Sequence, residues 1–120
     1  MLYAILCYNS EGLVGAWTKE QDDEVMAHHA RVQEKLRAQR KLGPVARLMP
    51  TTTATTIREG SQPLVIDGPF AETKEQLLGF YVVDCASLED AIETARPFFV
   101  DGGCLEIRPI MYFNAGSNVK

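Results

Sequence analysis

The residues best fitted to move a proton in this 120-residue chain are two adjacent histidines, His28 and His29, and the carboxylate of Asp67, which opens an Asp-Gly-Pro-Phe turn. Histidine is the side chain whose ordinary pKa lies closest to neutrality, so its placement matters most. The spacing predicts a long helix from about Lys19 to Lys41, on which Val25, His29, Val32 and Leu36 recur at steps of four, three and four. His29 thus falls on the apolar stripe and points at the rest of the fold. His28 lies about 100° round the helix, beside Glu24 and Arg31, and is expected in solvent. Neighbouring helical histidines diverge and cannot share one metal, and no HxxxH or HExxH spacing is present. No metal and no cofactor is expected.

A lone imidazole on an apolar stripe is usually a satisfied buried group, and a carboxylate within reach is what would change that reading. Asp67 follows the apolar run Leu64-Val65-Ile66. Aspartate before Gly-Pro commonly accepts backbone N–H groups of its own turn. Gly68, Pro69 and Phe70 are therefore structural turn residues, with Gly68 permissive and Pro69 fixing φ. Thr53 and Thr55, in a threonine-rich strand just upstream, are candidates to hold substrate oxygens, as is Arg108. Glu106 and Arg108 alternate with Leu105 and Ile107, so that strand has a polar side able to line a cleft, pair across an interface, or form a solvated ion pair. Cys7, Cys85 and Cys104 are odd in number, widely spaced and without a CxxC, and read as small buried hydrophobes. No glycine-rich phosphate loop is present.

These residues need a frame. Residues 2–8 read as a strand and 9–18 as a loop. Thr18 with Gln21 makes a capping box for the long helix, and Gly43-Pro44 closes it. Residues 45–49 make a short strand or an extended approach, 51–58 a β-branched strand, and 63–66 its hairpin partner. Leu77–Asp84 is the clearest strand. Ser87 caps a second helix with the stripe Leu88, Ala91, Ile92 and Ala95, and Pro97 ends it. The last strand is read as Cys104–Phe113. The order β-α-β-β-β-α-β with a central hairpin is that of an α+β, ferredoxin-like split βαβ antiparallel sheet with two helices on one face. One domain is expected over 1–113, with a frayed tail at 114–120.

The charge of −4, with 46% hydrophobic and 23% charged residues, describes a mildly acidic globular chain. It lacks the clustered cations of a nucleic-acid binder. No apolar run approaches the ~20 residues that span a bilayer. Residues 1–8 have neither a basic leader nor a cleavage site, and read as a strand rather than a signal peptide. With reduced thiols, this makes the cytoplasm the expected location. The first strand and Leu77–Val83 are apolar on both faces, and two helices cover only one face of such a sheet. A homodimer, packed sheet to sheet, would cover the other.

The stretch Asp67–Glu75, DGPFAETKE, resembles the hallmark of the DGPF branch of the YCII-related family. QLLGFYVVD, SLEDAIETA and LEIRPIM continue in that family's style, and TTTATTIREG and LYAILCY resemble its strands upstream. The likeness covers most of residues 1–112. It implies a dimeric α+β barrel with a histidine–aspartate pair at a cleft near the dimer interface, carried here by His29, counted back from EKLRAQR, and Asp67. Arg40 stands where relatives have glycine, which predicts a helix nearly a turn longer. One distant branch resembles lyases that remove halide from an aromatic ring. Some DGPF relatives accompany extracytoplasmic-function sigma factors.

Two readings follow. In the first, His29 is an acid–base catalyst oriented by Asp67, for a lyase- or isomerase-like reaction on a small molecule. In the second, the domain is a non-catalytic small-molecule-binding or regulatory module linked to such a sigma factor. There Asp67 is mainly a turn residue and His29 a buried polar contact.

Overall fold

The computed structural model describes residues 1–60 and 64–116. Strand β1 (Leu2–Asn9) leads into a short helix α1 (Glu11–Gly15) and the long helix α2 (Lys19–Ala38). Strand β2 (Leu42–Arg47), a 3-10 turn (Thr51–Thr53) and the hairpin β3 (Thr55–Arg58) and β4 (Leu64–Asp67) follow. Then come β5 (Gln76–Asp84), α3 (Leu88–Ala95), a 3-10 turn (Arg96–Phe98) and β6 (Cys104–Pro109).

Four strands form one antiparallel sheet in the order β2-β5-β1-β6, with Ile5 opposite both Tyr81 and Ile107. Sequence-adjacent strands are separated, as a split βαβ requires, so the fold is ferredoxin-like α+β. Alternation puts Tyr3, Ile5, Tyr81 and Val83 on one face, where they meet Leu36 of α2 and Ala91, Ala95 and Phe98 of the α3 region as a single core. On the other face Leu2, Ala4, Leu6 and Phe80 are only half-buried. The β3–β4 hairpin pairs with neither edge of this sheet and stands as a separate two-stranded ribbon. Among the described residues no helix is long and apolar enough to cross a membrane.

Several expected boundaries shift, each for a local reason. The loop 9–18 contains α1, because the Ser10 hydroxyl accepts the Leu13 N–H and caps a helix that the two glycines disguise. Helix α2 begins with the expected Thr18–Gln21 capping box but ends earlier than Lys41. Arg40 takes φ 59°, its N–H reaching the Arg37 carbonyl and that of Lys41 the Leu36 carbonyl, which is a complete Schellman end. Arg40 thus does a glycine's work, at about 1 kcal/mol of strain, and the helix gains no extra turn. Gly43 instead lies in β2, where an added Cβ would come 3.0 Å from the Val82 carbonyl.

The threonine strand is shorter than expected because Thr51–Thr53 turn as a 3-10 segment. Strand β6 stops at Pro109, where its register with β1 ends at Tyr3, and Ile110 adds one further bond to the Leu2 carbonyl. In α3 the buried positions are Ala91, Thr94 and Ala95, whereas Leu88 is exposed. Of the expected tail, 114–116 are exposed coil and 117–120 lie outside the described residues. Cys85 is buried as expected, but Cys7 is only partly buried and Cys104 is exposed.

Candidate functional site

Where the helical stripe of α2 passes over β5, His29 meets Tyr81. The helix side fixes one partner by its period of 3.6, and the sheet side fixes the other by its period of two. Tyr81 Oη lies 2.9 Å from His29 Nδ1. The Phe98 ring stacks on Tyr81 with centroids 3.8 Å apart and stands edge-on to His29 at 5.5 Å. His29 Nε2 is buried and has no hydrogen-bond partner of good geometry among the described residues.

This cluster forms one wall of a cavity of about 120 Å³ at the end of the sheet where β1 finishes and β5 begins. Apolar side chains dominate it: Val25 and Met26 of α2, Val14 and Trp17 from the α1 region, and Phe99 and Leu105 opposite. Its polar lining residues include His29, Tyr81, Gln33, Asn9, Arg47 and the Cys7 thiol. Arg47 is already engaged by Asp22 at 2.9 Å.

The walls are braced. Asn9 is buried, donates to the Val100 carbonyl at 2.9 Å and accepts the Ser10 N–H at 2.8 Å. The Trp17 indole N–H donates to Asp101 at 2.9 Å, joining α1 to the loop before β6. Gly103 takes φ 75°, and a Cβ there would come 2.3 Å from the Tyr8 carbonyl. Glu11 accepts the Thr51 N–H at 2.6 Å, while its own N–H donates to the Gln76 side chain at 2.9 Å. These two bonds tie α1 to the ribbon's root and to the segment just past DGPFAETKE.

Electrostatics follow from burial. Desolvation pushes the Tyr81 phenol up to about 12, with Cys7 adding to the rise and the Gln33 amide acting against it. Tyr81 therefore keeps its proton at neutral pH, and its hydroxyl donates to Nδ1 or accepts from it according to the tautomer of the ring. In the tautomer where Tyr81 donates, the His29 proton sits on Nε2 and the neutral ring is a donor at its free end. Burial lowers the His29 pKa, His28 and Arg47 lower it further, and the nearby Phe98 carbonyl opposes them. Burial also raises the Cys7 thiol to about 11, so it stays protonated and is no nucleophile.

Because the folded pKa of His29 lies below its unfolded value, the unfolded chain takes up this proton first as pH falls. Stability from the neutral ring is complete above an unfolded pKa of about 6.5 and is lost below it. Urea midpoints should drop between about pH 7 and pH 5, and His29→Gln should flatten that part of the profile. An unchanged slope in the variant would assign the acid sensitivity elsewhere.

The other expected site residues are not brought to this cavity. Asp67 ends β4 opposite Thr55, and both side chains are exposed on the ribbon. Thr53 lies in the 3-10 turn, where its hydroxyl donates to the Pro50 carbonyl at 2.7 Å. Arg108 is exposed on β6, opposite Ala4. The turn residues do hold a turn: Gly68 takes φ 114°, donates to the Ala54 carbonyl at 2.7 Å and accepts the Thr56 hydroxyl at 2.7 Å, with Pro69 and Phe70 exposed beyond it. His28 is not simply solvated. Its Nε2–H donates to the Pro97 carbonyl at 2.7 Å, pinning α2 to the Arg96–Phe98 turn. No cluster of three metal-ligating side chains occurs among the described residues.

Tyr81 was not singled out from the sequence. The available signal was a hydroxyl on the inward face of β5, which needs a partner when buried, facing a helix whose stripe carries a single polar residue.

The YCII-related domain matches residues 1–114 of the chain. An uncharacterized protein of Rhizobium meliloti (strain 1021) is 52% identical over 120 residues, with 97% of each chain covered.

Proposed function

The chain belongs to the YCII-related family, and from that premise we propose that it binds a small, largely apolar molecule carrying one hydrogen-bond acceptor in the cavity beside His29. The observation that carries this reading is the buried His29 Nε2, which has no hydrogen-bond partner of good geometry among the described residues and stands at the wall of an apolar cavity; with Tyr81 donating to Nδ1 it is a donor. A buried donor without a partner costs about 1–3 kcal/mol, which a ligand acceptor recovers once the ring turns toward it. Cavities only slightly larger, about 150 Å³, hold a benzene-sized guest.

The test compares benzaldehyde with toluene, which differ by the acceptor. Nuclear magnetic resonance titration should map both to Val25, Met26 and Trp17, with benzaldehyde binding about fivefold more tightly, the worth of one hydrogen bond. Tyr81→Phe releases the tautomer and should erase most of that preference. Equal binding of both probes, or shifts confined to other surfaces, would refute the reading.

The DGPFAETKE stretch supports our reading of the chain as a member of the DGPF branch, and we propose that it works as a homodimer in the cytoplasm. Regulation beside an extracytoplasmic-function sigma factor is one use of such a binding domain. An acid–base lyase or isomerase using His29 and Asp67 is the second reading. It would need Asp67 of a second chain, or a movement of the exposed ribbon, to supply the carboxylate that the cavity lacks within one chain. Thr53 and Thr55 would serve such a reaction only if they travelled with the ribbon, and Arg108, on β6, only from a second chain.

A further inference from the structure

The chain is too open to be complete by itself. A folded monomer of this mass exposes about 6,450 Å², whereas this chain exposes 8872 Å². The radius of gyration is 16.1 Å, against about 13.6 Å for a compact chain of this length. The surplus of roughly 2,400 Å² is more than one side of a standard protein interface, about 800 Å², and fits the large interfaces of obligate homodimers.

The ribbon carries part of that surplus. Ile57 and Val65 form a directly opposed cross-strand pair, 74% and 71% exposed. Met49 near the ribbon's root is 75% exposed, and Phe70 just past it 78%. Ribbons of two strands are marginal in water without something to pack on. Its members pair only with each other, so the outer edge of each strand is also free.

We infer that the β3–β4 ribbon is an arm gripped by a second copy of this chain, its Ile57–Val65 face packing against the partner and the partner's arm packing back. The inference rests on the homodimer reading above and adds to the sheet-to-sheet contact a surface that the sheet alone does not provide. Two-fold reciprocity follows from both partners being the same chain, since each arm finds the same acceptor surface. Asp67 and Thr55 share the Ile57–Val65 face, so the gripping surface must present donors to that carboxylate as well as apolar side chains.

Ile57→Thr with Val65→Thr tests it, because threonine keeps the strand preference while removing the apolar contact. Analytical ultracentrifugation over a dilution series should show the dimer dissociation constant raised about tenfold or more, as for loss of an interface anchor. Hydrogen exchange is the second readout. Amides of 55–58 and 64–67 should be protected in the wild-type dimer and lose protection in the dilute monomer. A double variant that dimerises as wild type, with ribbon amides unprotected in the dimer, overturns the arm and leaves the sheet-packed dimer standing. A wild-type chain that stays monomeric overturns both.

Discussion

Gly79→Ala is expected to prevent folding or to cost at least about 3 kcal/mol. A Cβ at this position would stand 2.3 Å from the Ala46 carbonyl oxygen and 3.1 Å from the Arg47 Cα. Both are backbone atoms of β2, and β5 is hydrogen-bonded to β1 on its other side, so neither neighbour can step back without breaking a ladder. The same approach brings Ala46 and Arg47 to the cavity wall, so the substitution strikes the site as well as the fold. Gly15→Ala is the control, because nothing lies within 4 Å of its Cβ position and alanine favours a helix. Urea denaturation of the two variants should differ by most of the stability of the domain. A Gly79→Ala chain with a wild-type midpoint would mean that β2 can retreat.

Phe98→Ala should have the second largest effect, about 3–5 kcal/mol. The ring is 3% exposed, stacked on Tyr81 and edge-on to His29, so its loss empties a volume that three elements share. It also uncovers the imidazole. Since desolvation is the largest cause of the lowered His29 pKa, that pKa should climb back toward its ordinary value, and the loss of stability between pH 7 and pH 5 should shrink. Phe98→Leu, which keeps most of the volume, should move the pKa the same way at a smaller stability cost. Calorimetry and a proton-resonance titration of His29 separate the two effects. A destabilised protein with an unmoved His29 pKa would show that Phe98 packs without shielding the ring.

Patterns decided within one element were legible in the sequence. The stripe Val25, His29, Val32 and Leu36 does face the core, with Leu36 buried and Val32 packed against it. The caps at Thr18 and Ser87 work as read. The ferredoxin-like class followed from counting elements, although α1 was missed and four strands rather than three lie between α2 and α3. What escaped required two elements at once. The partner of His29 is decided by the register between α2 and β5, which no single stretch encodes, and so Tyr81 went unnoticed while Asp67 drew attention by its turn. Arg40 shows the opposite failure. Glycine is the usual sign of a left-handed helix end, and a chain that closes the same hydrogen bonds with arginine conceals where the helix stops.

Glu11 joins the root of the ribbon to the wall of the cavity. Its carboxylate clasps the first residue of the turn leading into the ribbon, and its helix supplies Val14 to the cavity wall. Were a second copy to hold the ribbon and a guest to fill the pocket, the two events would couple through this clasp, each strengthening the other by the same factor. Ligand affinity would then rise with the concentration of the protein.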